Sequence, residues 1–499
     1  MAIMIKRGMH GRRSWTPVRI FAAAAITIVL AVPIQAQDAT RPLALTNVNV
    51  ISTLDGKIER NATILIEGNR IRRVIRDADA RSLPKGVRVV SFGNKYVIPG
   101  LWDMHVHSML NDQDPDWFHP LLLINGVTGI RDMGSLVPLA RILRVRAEID
   151  AGNRLGPRIL VAGPLIDGFN TAWAAPSGAP TSEEAARAVR LLVEQGADFI
   201  KVFPLIGQDA YQAIVAEANR LRVPVAGQVP EPVTAAEASN AGQRSIDHLD
   251  HIILGCSDAE ADIVQIKADV LKRLRMQPGR ESLAQLLPTA EETALTLETM
   301  NPDRCTNLLA LLAQNGTAVV PTLLVSRLYR PAARRMDDPR LNSLPRTVRE
   351  AWLAMNIMIE LGAEDPSQLV TIEYLSRRLV RPLAEAGVPI LAGTHAAAIT
   401  PFIFPGSSLH DELAALVNAG LSPLEALQSA TIAPARFANQ ESDLGTVAAG
   451  KLADLVVLDA NPLDHISNTR RTHAVVVNGR LLERADLDAL ARGVAAMNR

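Results

Sequence analysis

Two histidines, His105 and His107, stand one residue apart at the end of an apolar run. Alternate residues of a β-strand point to the same face, so both imidazoles would project to one side of a strand. Two imidazoles on one face are suited to a divalent metal ion. A His-X-His pair taken alone is a weak signal, and the residues around it must support the interpretation.

A lysine, Lys201, interrupts the apolar run at residues 199–203. Burying an unpaired ammonium group is costly, so this side chain must be paired, neutralised or exposed. One solution is reaction with carbon dioxide to form a carbamate, an anionic ligand able to bridge two metal ions. The alternative is a lysine whose head group reaches solvent from the strand end. Its position does not decide between the two.

Further polar residues lie at the ends of other apolar runs. His248 ends the run at residues 245–248 and is a candidate ligand, whereas His251 lies just beyond it and is a weaker candidate for substrate contact or ligand support. His395 directly follows the last run. Asp103 is expected either to orient one of the neighbouring imidazoles through a hydrogen bond or to cap the strand end.

The elements that would position these residues alternate along the chain. Most of the apolar runs are separated by helical stretches such as residues 182–194 and 209–220, which is typical of a (β/α)8 TIM barrel. The eight predicted strands are residues 101–107, 129–132, 158–163, 199–203, 223–229, 245–248, 318–323 and 389–394. Barrel enzymes carry their reactive groups at the carboxyl ends of the strands, where these candidates lie.

Two of the segments between strands, residues 257–313 and 325–386, are unusually long and have a helical pattern. We expect them to cap the barrel mouth. The chain ends are rich in short β segments, including a hairpin signal at Gly68-Asn69 and a turn signal at Asn478-Gly479. The predicted organisation is an α/β barrel over residues 97–440 and a small composite β-sandwich made from residues 42–96 and 441–485.

The first residues have a different composition. A basic start is followed by an uncharged apolar run at residues 20–32, then Pro33 and a small residue, Ala36. This order is the pattern of a secretory signal peptide, which we place at residues 1–36. The apolar run is shorter than the roughly 20 residues that span a bilayer, so export to the periplasm or medium is favoured over a membrane anchor.

The overall charge gives no indication of a nucleic-acid partner. Lys plus Arg and Asp plus Glu each total 52, so the formal net charge is zero, whereas phosphate-binding surfaces normally show a basic excess. The two cysteines, Cys256 and Cys305, could pair in an oxidising compartment or remain separate thiols.

These residues and their surroundings resemble the amidohydrolase superfamily, in particular its imidazolonepropionase-like and Xaa-Pro dipeptidase-like branch. The resemblance extends over nearly all of the chain after residue 36. The stretches that carry it are VIPGLWDMHVH at 97–107, GVTGIRDMG at 126–134, ADFIKVF at 197–203, VPVAGQVPEPVTAAEASNAGQRSIDHL at 223–249, LHDELAALVNAGLSPLEALQSATIAPARF at 409–437 and LGTVAAGKLADLVVLDANPL at 444–463.

The resemblance implies a metal centre that hydrolyses a C–N bond of a small molecule, such as an amide, peptide or cyclic amide, with metal-activated water. Carried over by position, His105 and His107 bind one metal, Lys201 bridges as a carbamate and His248 binds the second. Zinc is the expected ion, at one or two per chain. The expected partner is a small-molecule substrate, with no membrane contact after signal cleavage.

The sequence departs from the family pattern at two positions. Gln228 replaces a histidine that ends the fifth strand, and His395 replaces an aspartate that ends the eighth. A glutamine carbonyl is a weak ligand, whereas a neutral His395 can bind zinc or transfer a proton. Three interpretations follow: an active enzyme with a rearranged, single-metal centre; an enzyme for an easier substrate; or a degenerate binding protein without turnover. We expect one tightly bound metal at His105, His107 and His395.

Overall fold

The computed structural model describes residues 41–76, 83–168, 179–276, 289–327, 336–362 and 367–497. The predicted signal peptide, residues 1–36, lies outside these ranges. Within them, no helix combines the length and the apolar character that crossing a bilayer requires.

Fifteen strands and sixteen α-helices are assigned in the described residues. The strands are β1 (Leu43–Ile51), β2 (Ile58–Glu67), β3 (Arg70–Arg76), β4 (Arg88–Pro99), β5 (Leu101–His107), β6 (Val127–Asp132), β7 (Arg158–Val161), β8 (Ile200–Val202), β9 (Val225–Gly227), β10 (Gln243–Asp247), β11 (Ala318–Val320), β12 (Ala396–Ala397), β13 (Leu455–Leu458), β14 (Thr472–Val477) and β15 (Arg480–Leu482). The helices are α1 (Asp114–Ile124), α2 (Leu139–Asp150), α3 (Ser182–Glu194), α4 (Gln208–Leu221), α5 (Ala235–Ala241), α6 (Asp250–Gly255), α7 (Glu260–Met276), α8 (Ala290–Glu298), α9 (Pro302–Gln314), α10 (Leu323–Arg327), α11 (Arg346–Gly362), α12 (Ser367–Glu385), α13 (Ser407–Asn418), α14 (Pro423–Ser429), α15 (Ile432–Phe437) and α16 (Arg484–Ala496).

Strands from both ends of the sequence form one seven-stranded sheet, in the order β15-β14-β13-β4-β1-β2-β3. The predicted hairpin is present as the antiparallel pair β2–β3, and the Asn478-Gly479 turn joins β14 to β15 with φ angles of 48° and 78°. Alternation along β13 divides its apolar residues between two cores. Leu455 and Val457 pack within the sheet's own core, whereas Val456 and Leu458 belong to the large central core.

The central part contains two four-stranded parallel sheets, ordered β12-β5-β6-β7 and β11-β10-β9-β8. Backbone hydrogen bonds also run between the sheets. The amide of Ile166, after β7, donates to the Lys201 carbonyl on β8 over 3.2 Å. The expected α/β alternation is therefore present.

The eighth predicted strand differs from expectation. Residues 389–394 form one isolated parallel bridge, between Ile390 and Val319, and the two-residue strand β12 follows them. The segment still lies between β11 and β5, because Leu391 donates to the Val319 carbonyl and the Ala392 carbonyl accepts from Met104. His395 has a φ of 64°, which interrupts the extended backbone that a continuous strand requires.

The two long segments are helical, as predicted: α7, α8 and α9 occupy the first, and α10, α11 and α12 occupy the second. The start of α8 shows the local reason, since Thr289 and Glu292 form a reciprocal capping box at its first turn. The seventh predicted strand was too long by three residues, because the chain leaves β11 at Val320 and Leu323 already begins α10. A disulfide joins Cys256, at the end of α6, to Cys305 on α9.

Candidate metal centre

Three imidazoles converge where β5 and the 390–395 segment end. His105 and His107 lie on β5 with about 1% of each side chain exposed, and His395 directly follows the segment. One ligand atom from each of the three lies within 4.8 Å of the others, a spacing compatible with a shared ion. The alternation of β5 thus places both of its histidines on one face, as the sequence predicts.

Backbone contacts hold His395 against His105. The His395 amide donates to the His105 carbonyl over 2.7 Å, and the two rings stack with centroids 4.5 Å apart. Gly393 allows this approach: a Cβ there would lie 2.8 Å from the His105 Cβ and 2.6 Å from a methyl carbon of Val320. A larger residue at 393 would therefore push the segment away from β5.

A fourth imidazole, His248, lies beside the three. Its ring centroid is 5.4 Å from that of His105 and 5.3 Å from that of His395. Its Nδ1 is hydrogen-bonded to the Thr322 hydroxyl over 2.6 Å, which fixes the ring. His248 has a φ of 65° and His395 one of 64°, values that cost non-glycine residues on the order of 1–3 kcal/mol and that cluster at functional sites.

Burial keeps these four rings neutral. Burial, together with the nearby imidazole or lysine groups, lowers the pKa of His107 and His248 to about 3 and that of His395 to about 4. The pKa of His105 is lowered well below its usual value for the same reason, with His395 the strongest neighbour. Near neutral pH each ring therefore offers a lone pair, the form that binds a metal.

The donor set fits a divalent metal ion. Neither ring nitrogen of His105 has a hydrogen-bond partner among the residues that the structure describes, although the side chain is buried, and its Nδ1 lies 3.5 Å from Asp247. The Nδ1 of His107 bonds to the Gly134 carbonyl over 2.8 Å, so the neutral ring carries its lone pair on Nε2. Buried polar atoms are normally satisfied, and a metal shared with His107 and His395 would satisfy one ring nitrogen of His105.

Lys201 is paired rather than exposed. Its Nζ donates to Oδ2 of Asp247 over 2.6 Å, and Arg131 donates to Oδ1 over 3.0 Å. All three side chains are almost fully buried. Burial by itself would raise the pKa of Asp247, but the two cations hold it below its usual value. Burial lowers the pKa of Lys201, and Asp247 opposes that effect.

Asp103 bonds to backbone rather than to an imidazole. It accepts from the amides of His105 and Thr394 and from the Thr394 hydroxyl, at 3.2, 2.9 and 2.6 Å. It therefore ties β5 to the segment that carries His395. Burial raises its pKa to about 7.

The remaining two candidates lie beside the cluster, in a cavity of about 270 Å³. Gln228 and His251 line this cavity together with Asp247 and His248. His251 is not in the group of three imidazoles with a common ligand distance. The His251 ring is held by a hydrogen bond to the backbone of Val233, and burial lowers its pKa to about 4.

Sequence reasoning missed two residues that shape this site. Asp247 pairs with Lys201, and the Thr322 hydroxyl holds His248. Strand alternation could have indicated Asp247, because it lies two residues after Ser245 on β10 and both contact Arg131. Nothing local predicts Thr322, which contacts His248 across a separation of 74 residues.

Comparison with known protein families finds a match to the amidohydrolase family over residues 310–482. Among curated proteins, ochratoxinase of Aspergillus niger is 23% identical, and the alignment covers 84% of this chain and 82% of that protein. The family match covers the region from α9 through β15, including His395.

Solved structures share the fold over nearly the whole length. Bottromycin amidohydrolase aligns with a TM-score of 0.70 and 24% identity, covering 93% of this chain and 91% of its own. A protein of Bifidobacterium longum assigned as a prolidase aligns with a TM-score of 0.62 and 26% identity, covering 91% and 99%.

Proposed function

Because this chain belongs to the amidohydrolase superfamily, in its Xaa-Pro dipeptidase-like branch, we propose that it hydrolyses an amide bond of a small molecule with one divalent metal ion. It is an enzyme of the class that acts on carbon–nitrogen bonds. The observation that carries the proposal is the convergence of His105, His107 and His395, three neutral imidazoles with a common ligand distance, of which His105 and His107 are buried and His395 is half-buried.

These three side chains would hold the metal, and zinc suits an all-imidazole set. When bound, such an ion lowers the pKa of a water ligand and polarises a carbonyl group. The protein contributes a site whose ligands are already deprotonated, with His107 oriented by Gly134 and the β5 end held by Asp103. His395 is assigned first to metal binding; proton transfer by this ring is a secondary role.

The second metal position of the family is weak in this proposal. It would depend on Lys201, His248 and Gln228, of which only His248 is an imidazole. A carbamate on Lys201 requires a free amine, and the amine is bonded to Asp247 over 2.6 Å. We therefore propose that Lys201 acts mainly as an ammonium ion that pairs with Asp247. Carboxylation of Lys201 would require a second metal ion that stabilises the carbamate more than Asp247 stabilises the ammonium ion.

We also propose that the two parallel sheets form one barrel, over residues 97–440. The Ile166–Lys201, Leu391–Val319 and Met104–Ala392 backbone bonds, which bridge the gaps between assigned strands, support this. The terminal sheet, from residues 42–96 and 441–485, is proposed to curl into the composite sandwich. Its single continuous core, which contains residues of β1, β2, β13 and β14, supports that shape.

Export is proposed from the pattern of residues 1–36. The Cys256–Cys305 disulfide supports it, because disulfides persist in oxidising compartments such as the bacterial periplasm.

Metal content and hydrolysis test the proposal together. The purified protein is stripped with a chelator, reloaded with zinc, and assayed by mass spectrometry against a panel of N-acyl amino acids, dipeptides and cyclic amides. We expect about one metal per chain and turnover that disappears on stripping and returns on reloading. Metal without turnover on any of these substrates would support the non-catalytic binding protein instead. Failure to bind a divalent metal would overturn the proposal.

A further inference from the structure

The orientation of the His107 ring depends on the loop that follows β6. The Nδ1 atom of His107 donates to the Gly134 carbonyl over 2.8 Å, and this bond leaves Nε2 as the nitrogen that can bind a metal ion. Gly134 has a φ of 125°, a backbone conformation that other residues rarely adopt. The direction of this carbonyl therefore depends on the contacts that hold the loop in that conformation.

The Asp132 carboxyl group, at the end of β6, joins this loop to the residue that follows His107. Its Oδ2 accepts from the Ser108 amide over 2.9 Å and from the Ser108 hydroxyl over 2.6 Å. Its Oδ1 accepts from the Gly134 amide over 3.3 Å. One carboxyl group thus fixes both the chain that carries the His107 ring and the turn whose carbonyl orients that ring.

The register of the strands brings Asp132 to this position. Arg131 donates to Asp247 of β10, and alternation along β6 turns the next side chain, Asp132, to the opposite face. The parallel pairing of β5 with β6 places Asp132 opposite Val106, beside the end of β5. The carboxyl group therefore reaches the residue after His107 through the fold itself, without help from a bound ion.

The chemistry of the Asp132 side chain suits these contacts. Its three hydrogen bonds all come from donors, and an ionised carboxyl group is an acceptor only. Burial raises its pKa to about 6, and the bonds from Ser108 and Gly134 oppose the shift, so the ionised form predominates near neutral pH. The residue is almost completely buried, and bulk water has little access to these bonds.

We propose that Asp132 is a positioning residue for the His107 ring: through Ser108 and Gly134 it fixes the tautomer and the direction of the imidazole. The inference rests on the proposed metal site for the ion that this ring would bind. Hydrogen bonds one step removed from a metal ion commonly change its affinity by about 10–100-fold. Loss of the carboxylate should therefore weaken metal binding although every ligand is still present.

Asp132→Asn tests this role with little change in shape. The amide replaces one acceptor oxygen with a donor group, so the contacts with Ser108 and Gly134 cannot both be kept. Zinc is titrated into the chelator-stripped protein in competition with a chelating dye. We expect the zinc dissociation constant to rise by about 10–100-fold relative to the parent. Unchanged zinc affinity in a folded Asp132→Asn protein would overturn the proposal.

Asp454→Asn is the matched control, because it removes another buried carboxyl group that joins distant segments. Asp454 accepts from the Asn478 amide over 2.6 Å and pairs with Arg158. It lies at the opposite end of β5 from His107, since its backbone carbonyl bonds to the residue before that strand. Both substitutions should lower the free energy of unfolding of the metal-free protein, whereas only Asp132→Asn should weaken zinc binding. An equal loss of zinc affinity in both variants would overturn the positioning role.

A second pair of variants keeps the proposal testable if Asp132→Asn does not fold. Gly134→Ala leaves the carboxyl group in place, but its Cβ would lie 3.1 Å from a methyl carbon of Leu165 at a φ of 125°, so the orienting carbonyl must move. Gly152→Ala is the control, since that glycine also has a positive φ and its Cβ would meet no described atom within 4 Å. We expect weaker zinc binding in Gly134→Ala alone. Zinc affinity equal to that of the parent in Gly134→Ala would overturn the proposed route to His107.

The tautomer of His107 in the metal-free protein separates this inference from the proposed function. Magnetic resonance of protein isotopically labelled at its histidine ring nitrogens reports which nitrogen carries the proton, and His107→Ala assigns the signal. We expect an Nδ1–H ring in the parent and a mixed or Nε2–H ring in Asp132→Asn. If the parent binds no metal but this change occurs, the proposed function fails and the positioning of the ring stands. If Asp132→Asn keeps the zinc affinity, turnover and tautomer of the parent, only the positioning role fails.

Discussion

The Nζ atom of Lys201 lies 2.6 Å from Oδ2 of Asp247, and both side chains are almost completely buried. Arg131 contacts the other oxygen of the same carboxylate, so one buried anion pairs with two buried cationic groups. Removing one member of a buried charged group leaves the others uncompensated, which costs more than the intact group contributes.

Asp247→Asn should therefore destabilise the protein strongly, by about 3–5 kcal/mol in the free energy of unfolding. Urea denaturation of the metal-free protein measures this without a contribution from bound metal. The control is Asp112→Asn, which removes an exposed ion pair with Arg141 and should cost less than about 1 kcal/mol. Similar losses in both variants would show that Lys201 and Arg131 do not depend on Asp247.

His107→Ala should abolish tight metal binding. The substitution removes one of three imidazoles, and two ligands hold a divalent ion poorly. Metal per chain is measured by elemental analysis after dialysis, with the exposed His465→Ala as the control that retains the parent's content. Retention of a full metal ion by His107→Ala would contradict the three-histidine site.

Restoring the family pattern should raise metal occupancy toward two. Gln228→His supplies an imidazole to the weak position, and His395→Asp supplies a carboxylate to the first. The double variant should exceed the sum of the singles, because a carbamate on Lys201 needs metal on both sides to persist. Metal per chain and hydrolysis rate are compared for the parent, both singles and the double. The prediction is contradicted if the parent protein already carries two metal ions and the double variant is less active than the parent. Gln228 and His395 would then contribute directly to the activity of the site.

Deletion of residues 453–482 should destabilise the whole chain. It removes β13, β14 and β15, three of the seven strands of the terminal sheet, and β13 pairs directly with β4. Apolar residues of β1 such as Leu45 would lose part of their core. We expect a lower melting temperature and increased binding of a hydrophobic dye. Unchanged melting of a soluble truncated protein would refute the composite β unit.

Acid should unfold the protein partly through His119, which lies on α1. Burial, with a contribution from Arg154, lowers the pKa of this histidine to about 3 in the folded state. In the unfolded state this histidine binds a proton near pH 6.5, whereas in the folded state it stays neutral until about pH 3. The stability that the neutral, buried ring contributes is therefore lost as the pH falls from about 6.5 toward 3. His119→Leu should reduce the acid slope by up to roughly 1.4 kcal/mol per pH unit. Equilibrium unfolding at several pH values measures the slope, and His465→Leu, at an exposed position, should not change it.

Much of the local structure follows from the order of residues alone. The alternation of β5 predicts two histidines on one face, the Gly68-Asn69 turn predicts the β2–β3 hairpin, and the periodic pattern predicts α3 at its observed bounds. These features depend on neighbours within a few positions, and so the sequence carries them directly.

The sequence also identifies the residues that gather at the candidate site, because parallel strands that alternate with helices bring their carboxyl ends together. It does not show how those residues are held. The eighth strand was predicted as a continuous strand, which is more regular than the observed segment. A run of apolar residues does not indicate that the backbone adopts a positive φ at His395.

Only the tertiary structure decided the contacts between residues that are far apart in the chain. The partner of Lys201 lies 46 residues away and the hydroxyl that holds His248 lies 74 away, and neither pairing leaves a local pattern. The pairing of Cys256 with Cys305 is of the same kind. Residue type sets which interactions a side chain can make, but the packing of distant elements selects which of them it makes.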